Sequence, residues 1–169
     1  MDVSALLCDG FDRVRQEVEG LLDGMDEAHV TFRPDPEANT IAWLLWHLTR
    51  VQDDHVSAVA GTEQRWTADG WWERFGLPFE ALATGWSQSS AEVGDVRCPS
   101  DLLAGYFLAV HQATIAYVQT LHEADLDRVV DSRWDPPVTL GVRLVSVIAD
   151  DLQHVGQAAY LRGLAERRD

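Results

Sequence analysis

Apolar residues in the first stretch of the chain recur at helical intervals. Val3, Leu7, Phe11, Val14, Val18, Leu21 and Leu22 follow one another at steps of four, four, three, four, three and one. Asp9, Arg13, Glu17 and Glu19 fall largely off that stripe. With 3.6 residues to a turn, the pattern predicts an amphipathic first helix ending near Gly24. Pro34 and Pro36 then exclude a helix from Phe32 to Ala38. Asn39 or Thr40 can cap a second helix from Ile41, with Ile41, Leu44, Leu48, Val51, Ala58 and Val59 as its core stripe and Gly61 as its close.

Residues 62–98 break the pattern. Trp66, Trp71, Trp72, Phe75, Phe79 and Trp86 lie among glycines, prolines and serines with no strand alternation. A long connection with one or two short helical turns is expected, either functional or packed by its own aromatics. Any strands should fall within it. A third helix begins after Pro99-Ser100 and runs to about His122, with Leu103, Phe107, Val110, Tyr117 and Leu121 on one face. A turn through Trp134-Asp135-Pro136-Pro137 leads to a fourth, capped by Thr139 and ending near Gly163. Its main apolar face reads as Leu144, Val145, Ile148, Leu152, Val155 and Ala159. The predicted fold class is all-α: a four-helix bundle with a long, aromatic-rich connection between helices two and three. At 169 residues, with no repeat or linker, the expectation is a single domain over 1–169.

Charge narrows the function classes. The net charge is −15, from 28 acids against 13 bases, and every base is arginine. Nucleic-acid binding needs a basic footprint, and no basic cluster precedes the terminal Arg162…Arg167-Arg168, so a nucleic-acid partner is not expected. No apolar run approaches a membrane span, and the N-terminus, with Asp2 and Asp9, does not read as a signal peptide. The two cysteines, Cys8 and Cys98, stand in no metal or redox spacing, which points to the cytoplasm.

Candidate chemistry lies in Asp150-Asp151-Leu152-Gln153-His154-Val155-Gly156-Gln157, answered by Trp46-His47-Leu48. On a helix, Asp150 and His154 project about 40° apart, near the edge of the core stripe. A carboxylate there is costly unless paired, protonated or metal-bound. His47 shares the inward face of helix two with Leu44 and Val51. His47, Asp150 and His154 thus make a candidate three-ligand set. Two nitrogens and one carboxylate suit zinc, and also nickel or iron(II), with a position left for water or substrate. The same spacing occurs in ordinary helices as an exposed ion pair. Gln157 is a candidate partner for His154 or for substrate. Trp43, Trp46 and the aromatics at 71–75 are candidate pocket walls. His55, two turns beyond His47, cannot join the same site and should pack or pair with Asp53 or Asp54. Asp151 is expected to face solvent; His29, His111 and His122 read as structural or exposed. No residue is singled out as catalytic, and no nucleophilic triad or phosphate loop is readable.

His47 in a Trp-rich second helix, Asp150-x-x-x-His154 and the trailing Gly156-Gln157 resemble the DinB-like superfamily. That superfamily includes the metal-binding domain of mycothiol-dependent maleylpyruvate isomerase and related bacillithiol or mycothiol S-transferases. The resemblance implies a four-helix bundle, often dimeric, with a divalent metal held by His47, Asp150 and His154. Relatives often carry His at the Asp150 position, and isomerase-like ones carry Glu, one methylene longer. With the fourth helix ending near Gly163, a counterpart of the isomerase's additional C-terminal domain is not expected.

The resemblance implies a low-molecular-weight thiol as cosubstrate, ligating the metal and attacking a small electrophile in S-transfer or isomerisation. A metal-dependent hydrolase is the other chemical use of such a site. A non-catalytic metal-binding or stress-related interaction protein is the reading from another class.

Overall fold

The computed structural model describes residues 2–167, so Arg168, within the terminal basic run, lies outside the described residues. The chain is an all-α bundle of four long helices: α1 (Val3–Leu22), α3 (Ile41–Ala60), α7 (Ser100–Val118) and α8 (Leu140–Ala165). Short helices fill the connections: α2 (Glu27–Val30), α4 (Arg65–Ala68), α5 (Trp71–Phe75) and α6 (Ser90–Asp95). A 3-10 turn covers Glu123–Asp127. The 62–98 connection therefore holds three short helices and no strand. The strands lie elsewhere: β1 (Val129–Asp131) pairs antiparallel with β2 (Val138–Thr139) just before α8. Segments of three and two residues are too short to display alternation, so the pattern of apolar positions could not reveal them.

Local chemistry sets the helix ends. Asp2 accepts from the Ala5 N–H at the head of α1, Thr40 from Trp43 at the head of α3, and Thr139 from Val142 at the head of α8. Gly61 closes α3 with φ +69°, in the left-handed region open to glycine. The four long helices form a square in which α3 neighbours α7 and α8, and α1 neighbours the same two. The closest association is α3 with α8, the two helices that carry the candidate ligands.

Val14 and Val18 of α1 pack with Leu44 and Leu48 of α3, Leu103 and Val110 of α7 and Val155 of α8 in one buried cluster, and Leu7 and Phe11 of α1 with Leu144 and Val147 of α8 in a second. Each fully buried side chain of this size contributes about 1.5–3 kcal/mol through removal from water. On α8 the buried row is Leu140, Leu144, Val147, Asp151, Val155, Ala158, Leu161 and Ala165. The expected face was rotated: Val145 and Leu152 are exposed, at 59% and 40%. This helix carries apolar residues on two stripes, and the stripe facing α1 and α3 is the one that includes Asp151. Asp151, expected in solvent, has no exposure at all, and neither carboxylate oxygen has a hydrogen-bond partner. Burial, and secondarily the neighbouring Asp150, hold its carboxyl well above the usual range.

The long connection is pinned by one fully buried cation, Arg50 of α3. Its Nε donates to the Ala83 carbonyl at 3.0 Å, and its terminal nitrogens reach the Ala81 carbonyl (3.4 Å), Gln64 Oε1 (2.8 Å) and Tyr106 Oη (3.2 Å). The counter-charge is Asp53, one turn on, 3.7 Å away and also buried. Asp53 accepts from the backbone N–H groups of Arg65 and Trp66 at 2.9 and 2.8 Å, and from the Tyr106 hydroxyl at 2.8 Å. Burial raises its carboxyl, and these donors act against that rise. Around the pair, Trp66 packs on Tyr106 and Phe75 with ring centroids 5.0 and 5.1 Å apart, and Arg50 lies over the Trp66 ring at 5.0 Å.

Replacing Arg50 by Met would leave Asp53 buried without its cation, so Arg50→Met should cost about 3–5 kcal/mol in urea unfolding. Asp151 predicts a pH dependence. A carboxyl raised in the folded state lends stability below its unfolded value of 3.8, and that stability is lost as pH climbs through the folded value. Asp151→Asn should therefore be more stable than the parent at pH 8 and gain less at pH 4, read from thermal midpoints at both.

Candidate metal centre

The α3–α8 seam brings His47, Asp150 and His154 together. One ligand-type atom from each lies within 4.8 Å of the others. His154 Nε2 is 3.7 Å from Asp150 Oδ1, and the two imidazole rings sit edge to face with centroids 4.9 Å apart. Both rings are oriented through their other nitrogen. His47 Nδ1 bonds the Thr84 backbone carbonyl, and His154 Nδ1 lies 3.2 Å from Gln157 Oε1. An oxygen at Nδ1 keeps the proton there and leaves the Nε2 lone pair for a metal. Burial lowers the His47 pKa, with the Thr84 carbonyl opposing, so the neutral ring that ligation requires is favoured.

The donor set meets a test of fit to a cation. Asp150 Oδ2 is buried and has no hydrogen-bond donor. Such an oxygen is accounted for by a protonated carboxyl, as at the fully buried Asp151, or by a cation in the donor's place, and the two imidazoles beside Asp150 favour the cation. Two imidazole nitrogens and one such oxygen form an incomplete shell for a divalent transition ion.

The connection that Arg50 anchors forms the roof. Arg50 takes the Ala83 carbonyl and His47 takes the next one, Thr84. Gly85 follows with φ +95°, and a Cβ there would stand 2.6 Å from His47 Nδ1 and 3.2 Å from the Trp46 ring. Only glycine lets the backbone cross the imidazole this closely. Gln88 Oε1 then accepts from Trp43 Nε1 at 2.7 Å, and Trp43 stacks on His47 with centroids 4.6 Å apart and planes 13° from parallel. Arg33 ties the same segment from below, donating to the Ser90 carbonyl at 2.9 Å.

Beneath the roof lies a cavity of about 580 Å³, with Trp43, His47, Gly85, Trp86, Asp150 and His154 in its wall. Of the aromatics expected to wall it, Trp43 does. Trp46 instead packs in the core against Trp66 and Phe79, and Trp71 and Phe75 pack on Tyr106. The exposed aromatic at the mouth is Trp86, which periodicity could not separate from its neighbours. His55 stands in the same wall but outside the ligand set; its ring lies 3.8 Å from Asp54 and faces Arg143. The other histidines pair with carboxylates elsewhere: His29 with Asp26, His111 with Asp12 and His122 with Asp125. A backbone carbonyl and a missing Cβ leave no side-chain signature, so the sequence carries no sign of the Thr84 contact and only the glycine itself as a sign of Gly85.

Residues 6–166 match the family model described as mycothiol-S-transferase, and the chain belongs to that DinB-like family. A crystal structure of a conserved protein from Enterococcus faecalis superimposes with a TM-score of 0.91 at 34% identity, covering 98% of each chain. No curated protein matches the chain. Among the described residues, no helix is long and apolar enough to cross a membrane.

Gly85→Ala tests the roof. The added methyl should cost about 1–3 kcal/mol of stability through backbone strain. By displacing the His47 ring it should weaken the affinity for added zinc, used as a probe ion, about 10- to 100-fold in a chelator competition.

Proposed function

We propose that this protein is a divalent-metal-dependent thiol transferase or isomerase, using mycothiol or a similar low-molecular-weight thiol on a small electrophile. The observation that carries the reading is the convergence of His47, Asp150 and His154 on one point in the cavity wall, with Asp150 Oδ2 buried and unpaired. His47 and His154 would hold the metal through Nε2 and Asp150 through its carboxylate, with zinc the ion that best suits this donor set. The 3.7 Å separation of Asp150 from His154 supports a direct ligand role for a side chain shorter than Glu. A bound divalent cation supplies Lewis acidity that favours the thiolate, the nucleophilic form, near neutral pH.

The chain's own residues supply position and enclosure. Gln157 and the Thr84 carbonyl fix the two imidazoles, so the ligand geometry is set before substrate arrives. Trp43 covers one face of His47 and keeps water from it. Trp86, at the cavity mouth, offers a flat apolar surface to the electrophile. Neither cysteine competes as nucleophile: burial raises the Cys8 thiol and pushes Cys98 up to about 12.

The whole chain would act as one DinB-like domain in the cytoplasm, with its thiols reduced. The exposed apolar residues of α8, Val142, Val145, Leu152 and Tyr160, support association into a homodimer.

Metal analysis of the purified protein, followed by thiol-dependent consumption of 1-chloro-2,4-dinitrobenzene with mycothiol, tests the enzyme reading. One equivalent of divalent ion and mycothiol-dependent turnover are expected. His154→Ala should lose both while keeping its helical circular dichroism. A metal-free wild type with no thiol-dependent activity would sink the proposal.

A further inference from the structure

A second cavity, of about 630 Å³, adjoins the metal-site cavity, and Asp54 and His55 stand in the walls of both. It opens along the same α3–α8 seam. His55 lies eight residues beyond His47 on α3, and Arg143 seven residues before Asp150 on α8. Both are thus about two helical turns, some 11 Å, from the candidate ligands. The far wall comes from the segment between β1 and β2, through Asp131, Arg133 and Trp134.

The charges in this second cavity are already matched. Asp131 accepts from Arg133 at 2.8 Å and from Arg143 at 3.3 Å, and Arg133 above all holds its carboxyl well below the usual range. Asp54 adds a further carboxylate in the shared wall, hydrogen-bonded to Gln64 at 2.8 Å. Two guanidiniums against two carboxylates leave no cation in excess for an anionic ligand. Such a wall instead offers fixed acceptors and donors to a neutral molecule rich in hydroxyls. Trp134, 65% exposed, presents a ring on which the C–H face of a saturated ring can lie.

We propose that this cavity is the subsite for the polyol portion of the thiol cosubstrate: an uncharged sugar–cyclitol unit, held while its cysteinyl sulfur reaches the His47–Asp150–His154 end. The inference rests on the thiol-transferase reading and adds where the thiol is recognised and which thiols are chosen. A cysteine joined by an amide to two linked six-membered rings, as in mycothiol, spans two helical turns. Thiols without those rings reach the metal end and leave the second cavity unfilled. A thiol bearing carboxylates instead meets Asp54 and Asp131 with like charge.

Two measurements test it on the full-length protein. The first is the ratio of kcat/KM for mycothiol to that for N-acetylcysteine amide, an uncharged thiol without the rings. Trp134→Ala should lower this preference about tenfold, the scale of one lost aromatic contact. Arg143→Gln should lower it in the same direction. The second is calorimetric binding of the thiol-free glucosaminyl-inositol fragment, which needs neither metal nor turnover. The fragment should bind the parent and bind Trp134→Ala more weakly. A fragment that binds neither protein, or both equally, overturns the subsite, as does an unchanged preference in both variants. Turnover with mycothiol alongside such results would leave the transferase reading standing, whereas fragment binding without any thiol-dependent turnover would remove that reading and leave a polyol site.

Discussion

A guanidinium with no solvent contact organises more of this molecule than any apolar side chain does. Arg50 sits on α3 one turn from His47 and gathers the Ala81 and Ala83 carbonyls, Gln64, Tyr106 and Asp53 around itself. A buried ion pair is weak evidence for net stability, because desolvating both partners is costly. What it provides is specificity. The five donors of a planar guanidinium can be satisfied in few ways, so the connection from 62 to 98 has one seat on the bundle. The position of the Thr84 carbonyl, and with it the orientation of His47, follows from that seat.

The candidate site then divides its labour between rigid and adaptable parts. The two candidate ligands on α8 are a turn apart and fixed by helix geometry, with Gln157 a further turn along to orient His154. The third comes from α3, where the most extensive interhelical association in the bundle sets the distance. Over this floor lies a loop in which one glycine is required by a close approach and Trp86 stands in solvent. The overall charge of −15 gives an anionic electrophile no long-range attraction. In the proposed reaction, capture of substrate would come from contacts inside the cavity.

Much of this was legible in the chain. Asn39 or Thr40, Gly61 and Thr139 marked helix ends, and the structure puts the caps at Thr40, Gly61 and Thr139. The Asp150–His154 spacing and the inward face of His47 were enough to nominate three residues that do meet. The failures share a physical origin. On α8, apolar residues line two stripes, and only the approach of α1 and α3 decides which is interior. A rotation of one residue therefore exchanged the expected places of Asp151 and of Val145 and Leu152. Asp53 and Asp54 are likewise adjacent and serve unrelated ends, one sealed in the core and one lining both cavities. Adjacent carboxylates lie 100° apart on a helix, and the composition of the segment is the same whichever one is buried. The seven tryptophans were equally ambiguous, since an indole packs in a core or opens onto a cavity with no change in local sequence.

The bond from His47 Nδ1 to the Thr84 carbonyl joins two parts of the chain thirty-seven positions apart. It makes the order of the roof and the occupancy of the proposed ion site two readings of a single free energy. Whatever holds the segment from Ala81 to Gln88 in its seat would aim the imidazole and so tighten an ion; by reciprocity, an ion on that imidazole would favour the seated segment by the same free energy. A molecule wedged against Trp86 would thus act on the cation it never touches. An ion at the proposed site would then register at a distance how firmly that segment is seated.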